Sequence, residues 1–241
     1  MSAVPILLAS DGISPMAGPS NLPAVHFPRA LAEIVSGASS AKAAADQIDT
    51  HLKQRGWEPT WRFRMYTQPH YHATAHELLA VYSGSATIRL GGSGKPSRHP
   101  LLSPTNSTDQ MPTTSSTTTT TSNEDKVEAQ DSNSSAKTTT TTTTATLELQ
   151  PGDLLLLPAG YTHSALTQST TPPFMMVGSY PQGAAPWDMQ FPTTSAECDK
   201  LATSIKDNLL ERFRKGLFEA QDPVELSADQ GLSQLWDVRS V

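Results

Sequence analysis

Residues Pro69–Gly84 read PHYHATAHELLAVYSG, and a distant stretch, Gly152–Leu166, reads GDLLLLPAGYTHSAL. Between them they carry His70, His72, Glu77 and His163. Three imidazoles and one carboxylate are the donors that a first-row divalent metal with open coordination positions takes. His70 and His72 stand two apart, so on an extended chain both point to one face. Glu77 follows His72 at an odd offset, which would turn it outward on a straight strand. The small residues Ala73-Thr74-Ala75 can supply the bend or bulge that returns it. Residues 77–82 then read as a strand ending at the turn Ser83-Gly84-Ser85. In the second stretch Pro151-Gly152-Asp153 is a turn, Leu154–Leu157 a buried strand, and Pro158-Ala159-Gly160 a tight turn delivering His163 to the next strand.

These offsets resemble the two signature motifs of the cupin superfamily, HxH(x)4E(x)6G and G(x)5PxG(x)2H(x)3N. Every spacing is met, and Thr167 replaces the final Asn, a scaffold position. The resemblance implies a mainly β fold, a single cupin jelly roll or β-barrel with helices before and after it. It implies a metal site of His70, His72, Glu77 and His163 in the barrel mouth. Fe(II), Mn(II), Ni(II) and Zn(II) all accept that shell. His76, adjacent to Glu77, points to the opposite face and would replace it only if the turn shifted by one residue.

Working outward, WEPTWRFRMYTQ (57–68) alternates Trp61, Phe63 and Met65 with Arg62, Arg64 and Tyr66. If the polar set faces inward, Arg62 or Arg64 orients an anionic substrate group; otherwise they lie on a solvated face. Tyr161 and Thr162 either bond a substrate or cap the barrel.

Upstream, residues 1–20 are rich in Ser, Gly and Pro and are expected to lack fixed structure. Asn21–Phe27 reads as an edge strand or arm, a candidate for exchange in a homodimer. A helix is expected from Pro28 to Val35, ended by Gly37. Ser40 caps a second, with Ala41, Ala44, Ile48 and Leu52 as its apolar stripe. His26 is expected as a packed or surface residue, and His51 on a solvated face.

After Thr87–Leu90 periodicity is lost. Residues 95–145 are Ser, Thr, Asn and Pro with two threonine runs, a composition with no apolar face to bury, so a disordered insert at a hairpin tip is expected. Leu147–Leu149 re-enters by pairing with 87–90. Phe174–Tyr180 is a further strand, Pro186-Trp187-Asp188 a loop over the mouth, and Leu201, Ile205, Leu209 or Leu210 and Phe213 the buried stripe of a helix. The tail carries Leu232, Leu235 and Trp236 to dock on the barrel.

The chain has 241 residues, a net charge of −6 and a sequence pI near 5.6, which argue against a nucleic-acid or anionic-membrane surface. Cys198 is the single cysteine, so no intrachain disulfide forms and a reducing, cytoplasmic setting is expected. MSAVPILLAS has no basic region before its short apolar run, against a secretory signal.

The order of features is similar to that of YjlB-like cupins: Trp57 and Trp61, then His70-Tyr71-His72 with His76-Glu77, then Tyr180-Pro181 with Trp187-Asp188, and Asp222-Pro223-Val224 with Gly231 and Trp236. Gln68-Pro69 departs from a pair that often includes another histidine. Similar fungal proteins are cupin-domain oxidoreductases of gene clusters for reduced aromatic polyketides such as salicylaldehydes. That resemblance implies a metal-dependent oxidoreductase acting on a small aromatic or phenolic molecule, with Glu77, Arg62, Arg64 and Tyr161 serving the chemistry. The alternatives are a Lewis-acid isomerase or dehydratase, or a non-enzymatic binding module. A roomy, accessible cavity would favour chemistry; a barrel plugged by Met65, Leu79 and Met175 would favour a structural metal.

Overall fold

A computed structural model describes residues 3–8, 22–92, 143–192, 194–214, 221–226 and 231–236. All of them belong to the unit built from residues 1–96 and 141–241. In chain order the elements are β1 (Val4–Ile6), β2 (Ala24–Phe27), α1 (Ala32–Gly37), α2 (Ala41–Gln54), β3 (Trp57–Phe63), β4 (Glu77–Ser83), β5 (Ala86–Gly91), β6 (Thr144–Leu149), β7 (Leu154–Leu157), β8 (His163–Gln168), β9 (Met175–Pro181), α3 (Ser195–Arg214) and α4 (Leu232–Leu235).

The strands form two antiparallel sheets, a six-stranded one in the order β1-β2-β7-β4-β9-β3 and a three-stranded one in the order β6-β5-β8. The fold is mainly β, as expected. The central strands β4 and β7 read ELLAVYS and LLLL and are almost wholly buried, because both their faces are covered. Val25, Leu79, Leu155 and Met176 of the larger sheet share one apolar core with Ile88, Leu90, Leu149 and Ala165 of the smaller. β5 pairs with β6 from Ala86↔Leu149 to Gly91↔Thr144, the re-entry expected across the insert. Thr167, in the Asn position of the second motif, bonds Thr87 Oγ1 at 2.9 Å where the β5–β8 register shifts.

Four expectations are corrected. Residues 4–6 are a strand and Leu8 is buried, because β1 pairs with β2 and covers its edge; residues 1, 2 and 9–20 lie outside the described residues. β2 is therefore not an edge strand: it is bonded on both sides, to β1 and β7. Of the expected insert, 95–142 lies outside the described residues, and Thr144 already opens β6. Helix α1 starts at Ala32 rather than Pro28, since Arg29 takes a left-handed φ of 58° and donates its N–H to Asp153 Oδ1 at 2.8 Å.

Helix α2 keeps the expected cap, with Ser40 Oγ accepting from Ala43 N–H at 3.1 Å, and buries Ala44, Ile48 and Leu52 as expected, but the first-turn Ala41 is exposed and Ala45 is buried instead. His51 is not simply solvated: its Nε2 lies 2.9 Å from the Pro223 carbonyl. In α3 Ile205 is buried and Leu201 packs on the core, while the side chains expected at 209, 210 and 213 lie outside the described residues. The tail docks as expected, with Trp236 Nε1–H donating to the Pro23 carbonyl at 2.9 Å. No helix among the described residues is long and apolar enough to cross a membrane.

Candidate metal centre

The segment holding His70 and His72 runs between β3 and β4 and is pinned on both sides. His70 exchanges two backbone hydrogen bonds with His163, and Tyr71 exchanges two with Gln190. Period-two alternation then sends His70 and His72 to one face and the buried Tyr71 to the other. The chain bends at Ala73–Ala75 before Glu77 opens β4. The bend is templated by Asp188, whose Oδ1 accepts from Ala73 N–H at 2.8 Å, Thr74 N–H at 3.1 Å and Thr74 Oγ1–H at 3.0 Å. On the far side Gly160, at a φ of 80° that favours glycine, donates its N–H to the His72 carbonyl at 2.7 Å.

Each imidazole has its Nδ1 against a backbone carbonyl: His70 on Gln68 at 2.9 Å, His163 on Tyr161 at 3.0 Å, and His72 on Asp188. A carbonyl only accepts, so each Nδ1 carries a hydrogen, and Nε2 is the atom each neutral ring would offer to a metal. Those ligand atoms lie within 4.8 Å of one another. Glu77 stands beside them, Oε1 at 3.1 Å from His72 Nε2 and Oε2 at 3.2 Å from His163 Nε2. Glu77 Oε2 and His163 Nε2 are buried and have no hydrogen-bond partner. Two lone pairs that face each other across such a gap, out of water, call for a cation between them. The donor set therefore fits a first-row divalent ion.

Burial, reinforced by the neighbouring His163, pushes His70 down to about 3, which keeps it neutral. Burial would lower His72 as well, but the Glu77 carboxylate outweighs it and raises the group. Burial would raise Glu77, and the imidazoles of His72 and His163 instead hold it well below the ordinary carboxylate range.

Above the four side chains opens a cavity of about 300 Å³, lined among others by Trp61, Phe63, Met65, Tyr66, Trp187 and Met189. Phe63, Tyr66 and Trp187 are exposed at its rim. Met65 and Leu79 are part of the wall and do not plug the space, and Met175 is not among the lining residues.

His70, His72, Glu77 and His163 are thus brought together, as the resemblance implied. His76 is not: it accepts Ala159 N–H at 3.0 Å and packs on the Trp236 ring at 4.7 Å, on the opposite face. Arg62 lines the cavity, yet its guanidinium bonds Asp46 at 2.8 Å and Asp49 at 2.7 Å on α2, so its charge is spent on the scaffold. Arg64 is exposed over the Phe63 ring at 5.9 Å, also along the cavity, with no carboxylate partner among the described residues. Tyr161 faces away from a substrate: buried, it donates its hydroxyl to the Ile6 carbonyl at 2.8 Å, so of its two roles the capping one holds. His26 is packed against Asp153 at 3.3 Å.

Two site residues escaped the sequence reading. Tyr180 donates its hydroxyl to Glu77 Oε1 at 2.9 Å, and Asp188 shapes the bend. The only signal was their place in the YP…WD sequence, which assigns a loop and no contact.

The profile of the cupin family matches residues 65–187, which contain all four candidate ligands. The uncharacterized protein YjlB of Bacillus subtilis (strain 168) is 20% identical over 193 residues, covering 78% of this chain and 79% of that protein. Vicilin from Capsicum annuum aligns structurally with a TM-score of 0.28 at 14% identity, over 86% of this chain and 41% of the vicilin chain, so this chain spans about two fifths of that one. With more than half its length matched by the family profile, and with the ligand pattern inside that match, this chain belongs to the cupin family.

Proposed function

We propose that this cupin is a metal-dependent oxidoreductase acting on a small aromatic or phenolic metabolite, of the kind made in secondary metabolism. The observation that carries the reading is the placement of His70, His72, Glu77 and His163 on the wall of an open, aromatic-lined cavity. A site built only to hold a structural metal closes its coordination shell with protein; this one faces space that a ligand of drug-fragment size can enter. Trp61, Phe63, Tyr66 and Trp187 suit a flat ring, and Arg64 at the same cavity suits an anionic substituent such as a phenolate or carboxylate.

Bound iron or manganese would supply open positions for substrate oxygen and for dioxygen, the oxidant this reading requires. The chain's own contribution is to aim three imidazoles through their Nδ1 contacts, to keep His70 neutral, to hold Glu77 ionised, and to present the ring through its aromatic wall.

The test is metal content of the purified protein beside a His70→Ala/His163→Ala double variant, with oxygen uptake on a panel of phenolic aldehydes and alcohols. Near-stoichiometric iron or manganese that disappears in the variant, with substrate-dependent oxygen uptake, supports the proposal. Zinc or nickel without oxygen uptake moves the assignment to a Lewis-acid isomerase or dehydratase, and no metal in either protein leaves a ligand-binding module.

A further inference from the structure

Glu77 has two oxygens, and the structure treats them differently. Both face an imidazole Nε2, Oε1 that of His72 at 3.1 Å and Oε2 that of His163 at 3.2 Å, but only Oε1 also receives the Tyr180 hydroxyl, at 2.9 Å, whereas Oε2 has no hydrogen-bond partner. Tyr180 is itself directed. The Trp61 indole N–H, which can only donate, points at the Tyr180 oxygen at 3.1 Å. The phenol oxygen therefore accepts from Trp61, and its single hydrogen goes to Glu77. The Tyr180 ring cannot swing away, since it stacks on Trp187 at 5.9 Å with planes 7° apart and meets the His72 ring edge-on at 5.9 Å. Trp61 in turn lies flat on β9 because residue 178 is glycine; a Cβ there would sit 2.0 Å from the indole.

We infer that Tyr180 is a positioning residue that reserves Glu77 Oε1 and leaves Oε2 as the one carboxylate oxygen offered to a metal. This deepens the metal reading above and rests on it. A carboxylate free to bind through both oxygens would occupy one more coordination position; holding it to one leaves that position to exchangeable ligands. Residues that orient a ligand in this way are worth roughly 10- to 100-fold in metal affinity. The chain Trp61–Tyr180–Glu77 also borders the cavity, so its state is set where substrate enters.

Cobalt(II) tests this, because its visible absorption reports coordination number independently of any turnover. The full chain, Tyr180→Phe and Trp61→Phe are titrated with cobalt, and affinity and spectrum are recorded alongside circular dichroism. Tyr180→Phe is expected to bind 10- to 100-fold more weakly and to show a weaker, shifted visible band, as a higher coordination number gives. Trp61→Phe is expected to move both readings the same way by a smaller factor. A folded Tyr180→Phe with unchanged affinity and spectrum overturns the inference; if that variant does not fold, an unchanged spectrum in Trp61→Phe overturns it. Failure of the unsubstituted chain to take up cobalt overturns the metal reading itself and this one with it, so the two failures are distinguishable.

Discussion

His70 N–H bonds the His163 carbonyl at 3.1 Å and His163 N–H bonds the His70 carbonyl at 2.9 Å, which sets the two imidazole rings 4.3 Å apart. This directly opposed pair joins the two motifs: one donor of each lies across a single rung of antiparallel backbone. His70→Ala and His163→Ala each remove a donor without touching that rung. Each is expected to lower divalent-metal affinity by more than about 100-fold, beyond the loss from residues that merely orient a ligand. Elemental analysis after gel filtration, with circular dichroism unchanged, checks this.

Asp188 joins the loop after β9 to the bend at 73–75, and its backbone carbonyl receives His72 Nδ1–H. Asp188→Ala removes the three Oδ1 contacts to the bend and is expected to weaken metal binding roughly 10- to 100-fold while costing about 1–3 kcal/mol of stability. Asp188→Asn keeps an accepting Oδ1 and should lose distinctly less of both. Equal losses in the two variants, in metal titration and urea unfolding, would contradict the bend-template role.

The two arginines should separate by readout. Arg62→Ala breaks the bonds to Asp46 and Asp49 and is expected to lower stability by about 0.5–1 kcal/mol, as partly exposed ion pairs do, with ligand binding unaltered. Arg64→Ala is expected to leave the melting temperature in place and to weaken binding of anionic aromatic ligands relative to neutral ones. Isothermal titration with a benzoate and its amide makes the comparison.

Gly178 is set by contact with Trp61, and its flanking strands leave no room to yield. Gly178→Ala, with its Cβ 2.0 Å from the indole, should cost at least the roughly 1–3 kcal/mol typical of overpacking. In a Trp61→Ala background the same change should be nearly neutral. Thermal unfolding of the four proteins measures that coupling, and additive costs would rule it out.

Acid should destabilise the metal-stripped protein through His70. Its pKa falls from an ordinary 6.5 to about 3 on folding, so its contribution is complete above pH 6.5 and is lost as pH falls from there toward 3. Glu77, held low, acts in the same direction below its ordinary 4.5. His72, held high, acts oppositely: its contribution is present below 6.5 and is lost as pH rises through its folded value. His70→Gln should flatten the acid limb between pH 6.5 and 3, by up to about 1.4 kcal/mol per pH unit, the slope for one proton. Urea midpoints across that range give the answer, and an unchanged acid limb would refute it.

Residue order alone determined a good deal here. Backbone alternation puts His70 and His72 on one face, the resemblance to the cupin motifs adds Glu77 and His163, and the run LLLL at 154–157 between two turns reads as a buried strand. Ser40 and the stripe Ala44, Ile48 and Leu52 define α2 for equally local reasons. Which arginine is available, where Tyr161 points, and what holds Glu77 were decided only in three dimensions. Arg62 is claimed by acids on α2, Tyr161 by the carbonyl of Ile6, and Glu77 by a tyrosine that opens onto the same cavity from β9. Those partners come from different strands and helices, for Tyr161 and Glu77 from more than 100 residues away. Hydrogen bonds and ion pairs depend on distance and direction at the ångström scale, and no spacing in the sequence encodes either once the backbone has turned between the partners.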